Sequence, residues 1–180
     1  MEIIYNNIKN LAEIKDSLES IVTEFSELFM PLENTMYLLQ DRVTDAIFCE
    51  CHILADKFVQ YGTKDVPLDP DEQPEYRANR ELVEDNAAFL QMKADALHGR
   101  NFSNIVTEYT TEFDSEHPLK IIGGQHRFEA ISEAFHNSSI NVYQGIKVYF
   151  CLNIEQRLDV QLISNTNIAV SSGLLDCMME

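Results

Sequence analysis

No stretch of this chain approaches the ~18 consecutive apolar residues that a membrane-spanning helix needs, so no membrane partner is expected. The N-terminus also lacks the basic-then-apolar pattern of a secretory leader, because Glu2, Glu13 and Asp16 interrupt it early. Cysteine is sparse. Cys49, Cys51, Cys151 and Cys177 suit a reduced, cytoplasmic chain better than a disulfide framework. Cys49-Glu50-Cys51-His52 has no second ligand pair to complete a zinc site, and its thiols read as buried ones. Cationic residues are the most telling shortage: 13 Lys and Arg stand against 30 Asp and Glu, for a net charge of −17. The deficit is spread along the chain, with 5 basic and 12 acidic residues in 1–65 and 8 and 18 in 66–180. Duplex DNA is held by Lys and Arg neutralising phosphates. Tight DNA binding by this chain alone is therefore not expected, whereas a local basic pocket for one nucleotide is.

What is present suits one domain and an appendage: 180 residues, 45% of them hydrophobic. Ile8, Leu11, Ile14, Leu18, Ile21, Val22, Phe25, Leu28 and Phe29 form one wide stripe at helical spacing, ended by Pro31. Met36, Leu39, Val43, Ile47, Ile53, Leu54 and Phe58 suggest a second helix over Asn34–Tyr61, closed by Gly62. Residues 1–65 are thus expected as a helical hairpin. Its stripes are expected either to cover the following domain or, through residues 7–61, to bind another copy or a protein partner. Val66–Arg80, with Pro67, Pro70 and Pro74, reads as an extended connector.

From there the pattern alternates. Glu81–Leu97 reads as a helix with Leu82, Phe89, Leu90, Ala94 and Leu97 inward, followed by a β-branched strand towards Tyr109. Leu119–Ile122 is a further strand. Gln125–His136 is a helix, Gly145–Leu152 a buried strand, and Ile154–Ile163 another helix. A last helix pattern begins near Ser171 and stops at Glu180, so residues 66–180 are expected as a domain truncated at its C-terminal end.

The stretch around which these elements are organised is Lys120-Ile121-Ile122-Gly123-Gly124-Gln125-His126-Arg127-Phe128-Glu129-Ala130-Ile131. It reads strand, glycine turn, helix. Glycines let backbone approach a ligand closely, and the free amides and dipole of a helix start favour an anion. Gln125, His126 and Arg127 add side-chain donors at the same point. The plainer alternative is an ordinary turn in which Arg127 pairs with a surface carboxylate.

Ile-Ile-Gly-Gly-Gln-His-Arg-Phe-Glu-Ala-Ile resembles the signature of the DGQHR-domain family, within the ParB/sulfiredoxin-like superfamily. Gly123 stands where that signature has aspartate. Gln125 stands where sulfiredoxins carry their nucleophilic cysteine, and an amide cannot perform that attack. The resemblance, which spans roughly Val66 to Ser172, implies an α+β fold: a mixed sheet with packed helices, here preceded by the N-terminal hairpin. It further implies a nucleoside triphosphate, CTP or ATP, with or without Mg²⁺, held by Gly123, Gly124, Gln125, His126 and Arg127. Gln73-Pro74 resembles a ParB segment that would bring Arg77 to the phosphates, with Arg80 as an alternative. Asn165 matches a family asparagine, while Ser164 replaces the ParB glutamate. Asn165 and Asn167 read equally well as capping and turn residues.

The function that follows from the resemblance is a nucleotide-controlled switch in a DNA-modification, phage-defence or partition system. DNA would be reached through other subunits or a missing C-terminal region. Two alternatives stand beside it. One is a magnesium-dependent NTPase or DNA nuclease in which His126 moves the proton and Glu129 or Asp114 assists. The other is a non-catalytic protein-interaction module.

Overall fold

A computed structural model describes residues 1–64, 87–103 and 105–164. The described chain is mixed α+β: β1 (Glu2–Tyr5), α1 (Leu11–Phe29), β2 (Thr35–Gln40), β3 (Ile47–Leu54), α2 (Ala55–Tyr61), β4 (Gly62–Thr63), α3 (Ala87–Leu97), β5 (Ile105–Tyr109), β6 (Leu119–Gly123), α4 (Gln125–Ser138) and β7 (Tyr143–Phe150). A last helix, α5, occupies 154–164. The strands form one seven-stranded sheet in the order β1-β2-β3-β7-β5-β6-β4. Its centre is the long antiparallel β3–β7 ladder, from Ile47↔Phe150 to Leu54↔Tyr143. β5 runs parallel to β7 and antiparallel to β6.

The helical hairpin expected over 1–65 is not what the chain forms. α1 is present, but Asn34–Tyr61 holds two strands and only a short terminal helix. Apolar residues at spacings of three and four there concealed a period of two. Met36 and Leu38 are buried on β2, and Ile47, Cys49, Cys51 and Ile53 on β3, while Glu50 and His52 alternate outwards. The break between them is an Asx-type turn: Asp41 Oδ1 accepts the amides of Val43 (2.7 Å) and Thr44 (3.1 Å). Val43, expected on a buried face, is 92% exposed at that turn. The division at residue 65 accordingly separates strands of one sheet.

β1, α1 and β2 form a parallel crossover unit, with Glu2 paired to Thr35 and Tyr5 to Leu38. The stripe of α1 is used inside its own core. Leu18, Val22, Phe25 and Phe29 are buried, and the Phe25 ring lies 4.8 Å from Phe29 and 5.5 Å from both Tyr109 and Phe150. Met30, left-handed at φ 46°, ends the helix by returning its amide to Ser26 O at 2.9 Å, one residue before Pro31. α1, α2 and α4 cover one face of the sheet, here the inner face, where residues from Leu18 to Phe150 share a single apolar core. α5 lies against the outer face, where Val160 packs with Ile122, Tyr149 and Leu152. α3 packs on α4 with Phe89 and Ala96 buried; Leu90 and Leu97, expected inward, are exposed instead. No described helix is long and apolar enough to cross a membrane.

Candidate functional site

The signature turn begins with a slip in the sheet. Thr107 pairs with Ile121 but Val106 pairs with Gly123, so Ile122 has no partner of its own on β5. A bulge of this kind re-aims the strand end. Ile121 points into the inner core, whereas Ile122 and Gly123 both face the α5 side. A Cβ on Gly123 would stand 3.3 Å from the Ser164 side chain and 3.4 Å from Val106. Gly124 follows at φ 90°, the left-handed region that disfavours any side chain, and becomes the N-cap of α4. It supplies its carbonyl to Phe128 N at 3.0 Å but has no side chain with which to cap the first amides. Those amides start a helix that is anchored by Phe128, Ala130, Ile131 and Ala134 in the core.

A cleft of about 260 Å³ opens at that helix start, between α4 and α3. Gly124, Gln125, His126 and Arg127 line one side, and Ala88, Phe89 and Met92 the other. The His126 ring meets Phe89 edge-on at 4.8 Å. Burial, reinforced by the positive charge of Lys64, holds the His126 pKa below its ordinary value. The imidazole is therefore predisposed to be neutral near pH 7. Arg127 is half-buried, and among the described residues no carboxylate lies within ion-pair distance of it. A groove of about 480 Å³ is larger but lies at β1, on the opposite edge of the sheet from β6. The smaller cleft is the one with convergent donors.

One expected phosphate ligand, Gln125, and two expected catalytic helpers, Glu129 and Asp114, sit differently from the expectation. Gln125 is buried and donates its side-chain amide to Ile122 O, holding the slipped residue rather than facing the cleft as a free donor. Glu129 lies further along α4 with Lys64 Nζ at 3.4 Å from its carboxylate, and is not part of the cleft wall. Asp114 is in the loop before β6, paired with His117 at 3.1 Å, and does not approach His126 in the cleft. Arg77, Arg80 and Asn165 lie outside the described residues. Ser164, the last described residue, brings the end of α5 against Gly123. Comparison with protein-family models, characterised proteins and solved structures gives no match.

The sequence reading missed a buried charged group on the α5 side of the same strands. Arg157 of α5 forks onto Glu108 of β5, with Nε–Oε1 and Nη2–Oε2 both 2.8 Å, and the two side chains are only 4% and 1% exposed. Burial pushes the Glu108 carboxyl up, and the Arg157 fork opposes that shift. Lys120, directly opposite Glu108 in the β5–β6 ladder, is also buried. Its ammonium donates to the carbonyls of Phe113 (2.8 Å), Asp114 (2.9 Å) and His117. Burial lowers the Lys120 pKa to about 8. One turn beyond Arg157 on α5, Gln161 is buried with neither amide atom hydrogen-bonded. The available signal was a charged residue inside each of two otherwise apolar strands. No group of three or more potential metal-ligating side chains occurs among the described residues.

Proposed function

We propose that the chain is a nucleotide-binding module that holds the phosphates of a nucleoside triphosphate at the start of α4. The observation that carries this reading is the cleft at an uncapped helix start with an arginine that has no described carboxylate partner. In this reading the amides of Gln125, His126 and Arg127 receive phosphate oxygens, since a helix N-terminus favours anions. Arg127 supplies a planar fork for two of those oxygens. Ala88, Phe89 and Met92 offer an apolar wall to the nucleoside. Gly124 must stay a glycine because the backbone is left-handed there, and Gln125 supports the turn from beneath. CTP and ATP are the nucleotides the resemblance points to, with Mg²⁺ as the phosphates' counter-ion. The nucleotide would act as a conformational switch in a DNA-modification, phage-defence or partition system, with DNA reached through other subunits.

A titration of the four ribonucleoside triphosphates, with and without magnesium, against melting temperature tests this. A ligand that prefers the native state raises apparent stability as it saturates. One nucleotide should raise the melting temperature, and Arg127→Ala should weaken its binding by about 1.5–3 kcal/mol, the net worth of a charge-assisted hydrogen bond. Arg127→Lys should recover only part of that loss, because lysine lacks the planar fork. Equal nucleotide affinity in folded Arg127→Ala and parent proteins removes the proposal.

A further inference from the structure

β4 is the edge of the sheet beside β6, and the two run parallel, with Gly62 opposite Leu119 and Thr63 opposite Lys120. Both strands therefore finish at the same end of the sheet, where Gly123 and Gly124 lead into α4. A Cβ on Gly62 would meet Phe128 of α4 at 2.7 Å, so that side of β4 faces the helix. Side chains alternate along a strand, and Lys64, two residues on, returns to the same side. There it meets Glu129, with Nζ 3.4 Å from Oε2.

His126, Glu129 and Glu133 fall at spacings of three and four, along one side of α4. Phe89 of α3 meets the first, Lys64 the second, and Lys93 of α3 the third, at 3.0 Å. The two lysines are held differently. Lys93 also lies 4.5 Å over the Phe89 ring, and its side chain is only 23% exposed. Lys64 is 42% exposed, and its contact with Glu129 is longer than a charge-assisted hydrogen bond. An ion pair so exposed contributes little stability, so Lys64 leaves its carboxylate at small cost. His126, in the cleft wall, is within one helix turn of Glu129, about 5.4 Å. The charge of Lys64 already reaches that wall: after burial, it is the second cause of the lowered His126 pKa.

We propose that Lys64 is a second phosphate-binding side chain of this site, exchanging Glu129 for the outer phosphates of a di- or triphosphate. The inference rests on the nucleotide reading above and adds to it a requirement for phosphate-chain length. The helix start and the Arg127 fork take one phosphate group. Further phosphates bring negative charge to a protein already at −17, and a nearby cation offsets it. Lysine suits that place because its ammonium is a compact charge on a flexible stem, with no planar fork to align. A monophosphate ends before Lys64 and gains nothing from it.

Titration calorimetry of the full chain with orthophosphate, pyrophosphate and tripolyphosphate, at fixed ionic strength, tests this without choosing a base. Affinity should rise with chain length, and Arg127→Ala should weaken all three. Lys64→Met should weaken tripolyphosphate by about tenfold or more, the loss expected of one charged hydrogen bond, and leave orthophosphate within about twofold. Lys64→Arg should keep most of the tripolyphosphate affinity. Lys15→Met, at the far β1 edge, removes the same charge and should match the parent. Glu129→Gln should tighten tripolyphosphate when Lys64 is present but not in a Lys64→Met background, where the carboxylate has no lysine to release. A Lys64→Met protein with the tripolyphosphate affinity of Lys15→Met overturns the role of Lys64 and leaves the Arg127 site standing. Equal losses for orthophosphate and tripolyphosphate also overturn it, because the lysine then acts only through its general field. A folded parent that binds none of the three anions removes the phosphate site itself, and this inference with it.

Discussion

On the inner face of the sheet, Phe25 gathers Phe29, Tyr109 and Phe150 into an aromatic cluster, whereas the outer face buries Glu108 and Lys120 of the sheet together with Arg157 of α5. The same strands supply both. Tyr109 points one way and Glu108 the other; Ile121 one way and Lys120 the other. Apolar packing is non-directional and tolerates helices at many settings. A bidentate fork at 2.8 Å fixes one setting of α5 against β5. The slip at Ile122 lies between the two chemistries. It turns Gly123 towards the end of α5 and leaves Gly124 to start α4 over the inner core. One face thus buries the larger apolar core, and the other registers a helix against the candidate site.

That contrast can be broken at four points of decreasing effect. Phe25→Ala should cost about 3–5 kcal/mol in denaturant unfolding, since a fully buried ring with aromatic neighbours on several sides leaves a cavity that cannot collapse. Arg157→Ala should cost about 3 kcal/mol because it strands the Glu108 charge. Combining Arg157→Met with Glu108→Leu should restore most of it, which distinguishes an ion pair that sets geometry from one that supplies net stability. If the double variant is as unstable as the single one, the outer face owes its stability to the fork itself. Gly124→Ala should cost about 1–2 kcal/mol from its left-handed backbone. The added methyl meets Ile105 at an ordinary 3.4 Å, so the loss should be conformational rather than steric. Equal stability of Gly124→Ala and the parent would show that the turn relaxes.

The smallest effect concerns pH. His126 has a folded pKa held below 6.5 by burial, so below that value the unfolded chain binds more protons than the folded one. Its contribution is a loss of stability as pH falls through 6.5 towards the lowered folded value. His126→Gln should flatten the melting-temperature profile in that window. A profile unchanged by the substitution assigns the acid sensitivity to other groups.

Legibility differed along the chain for a physical reason. Leu119 to Ile131 reads correctly because the strand, the glycine pair and the helix each carry an independent signal, and β7 follows from its near-continuous apolar run. Residues 34–54 read as a helix because Met36, Leu39, Val43 and Ile47 happen to fall at spacings of three and four. The alternation Cys49-Glu50-Cys51-His52 and the Asp41 turn were the signals on the other side. Glu108 and Lys120 could be seen as charges in apolar strands, but not as neighbours. Their pairing depends on the β5–β6 register, and Arg157 reaches them from far along the chain.

By itself, then, the amino-acid sequence determined the local elements whose periods are unambiguous, the conformational need for glycine at the start of α4, and a net charge of −17. Local sterics and composition decide those properties, and both are written residue by residue. Tertiary structure alone decided that residues 1–64 share a sheet with β5–β7 and that Gln125 turns inward to Ile122. Each depends on which distant segments come to lie side by side. That is settled by the packing of whole faces rather than by any single stretch of chain.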